Sequence, residues 1–305
     1  MTTEYTPKWP PFTYGGVENP ALDHAGVVVI PIPYDSTASY RQGSRMGPES
    51  IIDASRYMEL FDIETGWSPV EIGIHTLSGV EPSRGSPEET ISRIRRTVGE
   101  VLSLSKFPVL LGGEHTVSLG GVQAAGEFAE KLGVVVLDAH CDLRDEYEGT
   151  KFSHACTNRR ISEIADSLVV AGTRSCSEEE GELIQNEKLD FFHWTEGNRE
   201  KGLENLQRAL DFITDIGGTW YLSIDLDVFS PAEMPGVSTP EPSGPLYDEV
   251  LPFLRELARG VNLIGMDVVE LTPIEGDVRS QFMASKLVYK VLAYAFGCRD
   301  RSPTC

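Results

Sequence analysis

Short apolar, β-branched runs recur along the chain at residues 27–31, 109–111, 134–137, 168–171, 220–224 and 263–269. Each is close to unbroken rather than alternating, as in a strand buried on both faces. Between the runs, apolar positions repeat at helical spacing: Ile91, Ile94, Val98, Val101 and Leu102 form one stripe, and Leu203, Leu206, Leu210 and Ile213 another. Ahead of the first stripe, Ser86-Pro87-Glu88-Glu89 reads as a capping box with proline at the first helical position. This alternation predicts a mostly parallel sheet with helices on both faces. Glycine and proline cluster at residues 31–47 and 231–245, each time after a strand. These are predicted loops over the carboxyl edge of the sheet, where open α/β sheets bind ligands. No repeat, low-complexity tract or linker composition interrupts the pattern, so one domain over residues 1–305 is expected.

Composition narrows the partners. The 305 residues carry 26 basic and 47 acidic side chains, a net charge of −21. That field repels nucleic-acid phosphate and anionic membranes and suits a cationic small molecule; charge serving solubility alone would look the same. Apolar residues make up 40%, ample for a core, yet no run reaches the roughly 18 residues that signal a membrane span. Residues 1–12 are polar and proline-rich, so neither secretion nor membrane insertion is signalled and a cytoplasmic protein is expected. Five cysteines, at 141, 156, 176, 298 and 305, are odd in number and lack CxxC spacing. This argues against a disulfide framework or a thiolate zinc site. Free thiols are expected, Cys298 and Cys305 being close enough in sequence to pair or react.

Candidate chemistry sits where apolar runs end. Gly112-Gly113-Glu114-His115, Asp138-Ala139-His140-Cys141-Asp142 and Ser223-Ile224-Asp225-Leu226-Asp227 each close a run with groups that bind hard metal ions. Residues i, i+2 and i+4 of an extended chain share a side, so Asp138, His140 and Asp142 converge while Ala139 and Cys141 face away. The same geometry brings Asp225 and Asp227 together, and His115 completes the set after the Gly112-Gly113 turn. Any one of these residues reads equally well as a helix cap or a satisfied polar group. Six together are different, because desolvating a lone carboxylate costs several kcal/mol even after relaxation, and metal ions supply the opposing charge. Four carboxylates and two imidazoles suit two divalent cations, manganese first because no thiolate contributes, with cobalt, nickel and zinc as alternatives. A carboxylate such as Asp138 or Asp225 would bridge them.

With these residues assembled, the chain resembles the ureohydrolase family of arginases and agmatinases, whose motifs read GG(D/E)H, DAHxD and SxDxD in this order. Pro31-Ile32-Pro33-Tyr34-Asp35 with residues 43–48, Phe152-Ser153-His154, residues 235–242 and Asp267-Val268-Val269-Glu270 extend the match over nearly the whole chain. The resemblance implies a three-layer α/β/α sandwich around a central, mainly parallel eight-stranded sheet, and a homo-oligomer, commonly a trimer or hexamer. It implies two Mn2+ per chain, one held by His115, Asp138, Asp142 and Asp225, the other by Asp138, His140, Asp225 and Asp227. Glu270 would pair with the substrate guanidinium, or else with a neighbouring arginine. His154 would protonate the leaving amine, unless it is an ordinary loop histidine. His24, His75 and His193 read as structural.

Substrate choice turns on the segment Asp145-Glu146-Tyr147-Glu148-Gly149-Thr150-Lys151-Phe152-Ser153-His154, with three acids and one lysine. Arginases place asparagine, serine and threonine there to hold a carboxylate. An acidic entrance favours an amine tail, so the expected reaction converts agmatine to putrescine and urea. Aminopropylagmatine, guanidinobutyrate and arginine are alternative substrates; a mononuclear zinc deacetylase and a non-enzymatic metal-binding protein are the other readings. Arg159 and Arg160 read as structural ion pairs rather than anchors for an acid. Ser230-Pro231 stands where relatives carry Asp-Pro, Gly236-Val237-Ser238-Thr239-Pro240 replaces GTGTP, and Ala155 replaces a glycine in a way expected to narrow the pocket.

Overall fold

The computed structural model describes residues 11–297. Cys298, Cys305 and all but the last two residues of the 1–12 segment lie outside them. Eight strands run in chain order as β1 (Val27–Ile32), β2 (Ile74–Thr76), β3 (Phe107–Gly112), β4 (Leu132–Leu137), β5 (Ser167–Ala171), β6 (Asp190–Phe192), β7 (Thr219–Asp225) and β8 (Asn262–Val269). They pair in the spatial order β2-β1-β3-β8-β7-β4-β5-β6, every pairing parallel. The six apolar runs are β1, β3, β4, β5, β7 and β8. The two strands not read from hydropathy, β2 and β6, are three-residue edge strands, and β6 is only half-buried.

Helices cover both faces. On one lie α1 (Gly47–Ser55), α6 (Arg199–Ile216), α7 (Tyr247–Gly260) and α8 (Arg279–Gly297), packed side by side; on the other lie α2 (Pro87–Ser103), α3 (Thr116–Phe128) and α4 (Thr157–Ser162). A further helix, α5 (Glu178–Glu187), precedes β6. The α2 and α6 stripes are buried as their spacing requires, Leu203 partly. The capping box is half made: Ser86 accepts the Glu89 N–H at 3.1 Å, but the Glu89 carboxylate turns to Arg93 instead, at 2.9 Å. Among the described residues no helix is long and apolar enough to cross a membrane.

One ion cluster, buried at Lys290 and Asp62 and open at Glu64, ties α8 to the segment after α1. The Lys290 ammonium lies 2.9 Å from Asp62 and 2.6 Å from Glu64, and Glu64 also takes hydrogen bonds from Tyr294 and Arg255. Burial would raise the Glu64 carboxyl, but Lys290, Tyr294 and Arg255 hold it down at about 2. Asp62, also pushed up by burial, is likewise held below its ordinary value by Lys290 and Thr65. Lys290→Met preserves the stem and removes the charge, leaving Asp62 buried without its cation. We expect a loss of about 3 kcal/mol near neutral pH, read by denaturant unfolding. Because both carboxyls are depressed, their stabilisation is complete above the ordinary carboxylate range and fades as pH falls toward about 2. The difference between wild type and variant should therefore shrink on acidification.

The strand order decides where chemistry collects. The four central neighbours β3, β8, β7 and β4 end on one rim, and the chain just past each end carries His115, Glu270, Asp225 with Asp227, and Asp138 to Asp142.

Candidate metal centre

Gly112 and Gly113 let β3 stop against two other segments. A side chain on Gly113 would collide with the Tyr34 carbonyl, which accepts the Glu114 N–H at 2.8 Å, while the Gly113 carbonyl accepts the Glu270 N–H at 2.7 Å. His115 follows, buried at the start of α3. Its Nδ1 lies 3.2 Å from Asp138 Oδ2, 3.0 Å from Asp142 Oδ2 and 3.4 Å from Asp225 Oδ2. On its other side Nε2 is 3.3 Å from Ser223 Oγ, which donates to the buried Asp267 at 2.7 Å. Such a chain fixes the ring so that Nδ1 faces the carboxylates.

His140 mirrors this arrangement. Its Nδ1 is 2.9 Å from Asp227 Oδ2 and 3.7 Å from Asp138 Oδ1. Two sets of donors thus stand within reach of a shared ion each: His115, Asp138 and Asp142, and Asp138, His140 and Asp227. Asp138 belongs to both. Asp225 faces His115 and accepts the Asp227 N–H at 2.9 Å, which places it between the two sets. All six predicted donors therefore meet at one rim.

Electrostatics show why this cluster fits cations. Burial, then Asp227, Asp138 and Glu270, push the Asp225 carboxyl well above its ordinary range. Burial and Asp138 raise Asp142 to about 6. Burial would lower both imidazoles, but the facing carboxylates override it, raising His115 well above its usual value and His140 to about 12. Asp138 Oδ2 is buried and accepts no well-aligned hydrogen bond. Crowded carboxylates that raise both histidines, with a lone pair left over, are the signature of positive charge wanted at that point.

Glu270 and His154 join the same cavity of about 310 Å³. Glu270 Oε1 accepts the His115 backbone N–H at 2.7 Å, and burial, partly offset by Ser238 and that N–H, raises its carboxyl to about 7. His154 Nε2 lies 3.2 Å from Ser39 Oγ, and its backbone N–H donates to Thr37 Oγ1 at 3.2 Å. His75 and His193 sit apart, bonded to Pro20 and Thr173.

A model of the "Arginase family" matches residues 25–294 of this chain. The chain belongs to the arginase family. An N(1)-aminopropylagmatine ureohydrolase from Synechocystis is 37% identical over 276 residues, covering 88% of this chain and 89% of the relative. An agmatinase from Pyrococcus horikoshii is 30% identical over 280 residues, covering 90% and 95%. The crystal structure of the agmatine ureohydrolase of Thermoplasma volcanium superposes with a TM-score of 0.84 at 29% identity, covering 96% of each chain.

The cavity wall of this arginase-family chain differs from its expected form. Asp145 is paired with Lys151 at 3.1 Å and with Arg160 at 2.7 Å, and Glu146 and Glu148 are exposed. That loop gives the cavity Arg144 and Tyr147, the guanidinium stacked on the ring. The acid in the wall comes instead from Glu180, whose two oxygens accept from Leu143 N and from Ser177. Arg160 and Arg159 are structural ion pairs, to Asp145 and Glu163 and to Glu187, as expected. Ser230 Oγ accepts the Ala232 N–H at 3.4 Å, the turn cap its position predicts.

Three contributors escaped the sequence reading. Glu114, fully buried, accepts from Thr37 N, Thr37 Oγ1 and Thr116 Oγ1, and so anchors the loop that reaches His154. Its only signal was an acid at the end of a buried strand. Arg174 donates to six backbone carbonyls, among them Asp227 at 2.8 Å and Val228 at 3.1 Å, pinning the loop after β7. The Ser177–Glu180 pair is a complete capping box that starts α5 at the cavity wall.

Proposed function

We propose that this chain hydrolyses the guanidino group of an amine-tailed guanidine, with N1-aminopropylagmatine preferred over agmatine, releasing urea and the matching polyamine. The observation that carries this reading is the composition of the cavity: two donor sets sharing Asp138, with Glu270 and Glu180 in the same lining. The longer tail is supported by the higher identity to the aminopropylagmatine relative, 37% against 30% for the agmatinase.

Each residue has a part. His115, Asp138, Asp142 and Asp225 would hold one divalent cation, and Asp138, His140, Asp225 and Asp227 the other. The all-oxygen-and-nitrogen set suits manganese. When bound, the cations supply a hydroxide-like nucleophile near neutral pH and polarise the electrophile. Glu270 takes the N–H fork of the guanidinium and orients its carbon. Its backbone sits at φ 67°, a strained conformation for glutamate, with its N–H bonded to the Gly113 carbonyl. His154, braced by Thr37 and Ser39, delivers a proton to the departing amine nitrogen as the C–N bond breaks. Glu180, which lines the cavity with Ser175 and Ser177, accepts the distal ammonium groups.

Arg144 favours a second reading, an acid-tailed substrate such as guanidinobutyrate, since it is the one arginine or lysine among the described lining residues. Urea release from the manganese-loaded enzyme should be measured with N1-aminopropylagmatine, agmatine, guanidinobutyrate, arginine and guanidine. We expect kcat/KM for the aminopropyl compound to exceed agmatine by about tenfold, worth roughly 1.4 kcal/mol for one further ion pair, with both acid-tailed compounds lowest. A best rate with guanidinobutyrate or arginine would transfer the tail contact to Arg144. Two ions per chain accompany the hydrolase reading; one zinc and acetate release would mark a deacetylase.

A further inference from the structure

The cavity wall holds a pair of cysteines that the hydrolytic reading does not use. An isolated parallel bridge pairs His140 with Ser175, and the Arg174 and Ser175 N–H groups both donate to the Ala139 carbonyl, at 2.8 and 3.0 Å. One step further along both segments come Cys141 and Cys176, which continued parallel pairing would set side by side. Paired parallel segments run about 4.8 Å apart, and residues facing each other across them project their side chains to the same side. That spacing falls within the Cα separation of about 4.4–6.8 Å that a disulfide requires. Both thiols line the cavity. Their exposures differ: Cys141 is buried against Leu143 and Ile184, whereas Cys176 is exposed.

We propose that Cys141 and Cys176 form a dithiol site that closes to a disulfide on reaction with a low-molecular-weight disulfide, and that closure disables the metal centre. The exposed Cys176 sulfur attacks one sulfur of the reagent, breaking its S–S bond. The first thiol leaves with the proton Cys176 gives up. The Cys141 sulfur then attacks Cys176 in the mixed disulfide, and the second thiol leaves with the Cys141 proton. Two cysteines are oxidised, and one reagent disulfide is reduced to two thiols. Closure reaches the metal because Cys141 lies between two donors, His140 and Asp142. Asp142 itself sits at φ 48°, so the new bond is tethered to a strained segment that carries two of the donors. The covalent step does not depend on the substrate assignment.

The test uses the full-length, manganese-loaded protein incubated with oxidised glutathione, alkylated and digested without reduction. The expected result is a peptide joining Cys141 to Cys176. Bound manganese and urea release should fall together several-fold, and both should return with dithiothreitol. Cys176→Ser and Cys176→Ala, each compared with its own untreated sample, should give no cross-link and keep manganese and turnover under oxidant. Cys156→Ser should still form the cross-link. Glutathione found on Cys176 with Cys141 alkylated, or a cross-link confined to Cys298 and Cys305, would overturn the site. A Cys141–Cys176 cross-link with manganese content unchanged would overturn the switch.

Discussion

Replacing Asp225 with asparagine should abolish turnover while making the metal-free protein harder to melt. The two effects share one cause. Asp225 is buried among Asp227, Asp138 and Glu270, and after burial itself those carboxylates are what drive its pKa upward. A carboxyl raised in the folded state stabilises the fold while protonated, and that contribution is lost as pH rises through its folded pKa. Asparagine is neutral throughout, so the variant's advantage in the chelated protein should grow from mildly acidic to mildly alkaline pH. The Oδ1 acceptor for the Asp227 N–H survives the change, which limits collateral damage. With metal the sign reverses, because a shared anionic ligand is gone. We expect urea release to fall by at least about a thousandfold, some 4 kcal/mol of transition-state stabilisation, with manganese content reduced. Thermal scans of chelated and loaded samples, with metal analysis, check both halves. Normal manganese with full activity would overturn the proposed bridging role of Asp225.

Glu270→Gln separates substrate capture from metal capture. The carboxamide keeps an oxygen for the His115 N–H, now accepted at 2.7 Å, so the strand end and both donor sets should persist. What disappears is a carboxylate able to take two parallel N–H bonds from a planar cation, the strongest class of side-chain hydrogen bond. An amide also presents its own N–H groups to the guanidinium. We expect kcat/KM to fall by about a hundredfold or more, near 3 kcal/mol, with two ions still bound. Steady-state kinetics with metal analysis measure this. Unchanged kinetics would mean that Glu270 is a structural brace for His115 alone.

The site was more legible than the frame that holds it. Six side chains of metal-binding type at the ends of apolar strands are costly unless something compensates them, and that cost is visible in a one-dimensional chain. The geometric argument for Asp142 brought it to the cluster by an incomplete route. β4 ends at Leu137, and Asp142 reaches the cluster through a left-handed residue rather than by continuing a strand. Hydropathy missed β2 and β6 because three-residue edge strands need no long apolar run. Glu114 and Arg174 were silent for another reason: their partners, Thr37 and the carbonyls after β7, lie far away in sequence. The acidic loop was misplaced because Lys151 and Arg160 absorb Asp145 locally, while the acid that faces the cavity, Glu180, comes from a helix cap.

The strand order carries a consequence for how the protein comes to be. β3 and β4 follow one another in the chain but are separated in the sheet by β8 and β7, which are made last. His115 and the 138–142 segment therefore have nothing to hold them at their final spacing until the polypeptide has been synthesised beyond Glu270. A nascent or truncated chain owns most of the ligands and none of the geometry. Ion capture at the proposed centre would thus be a certificate of completed folding, issued only when the final strand has slid into the gap at the middle of the sheet.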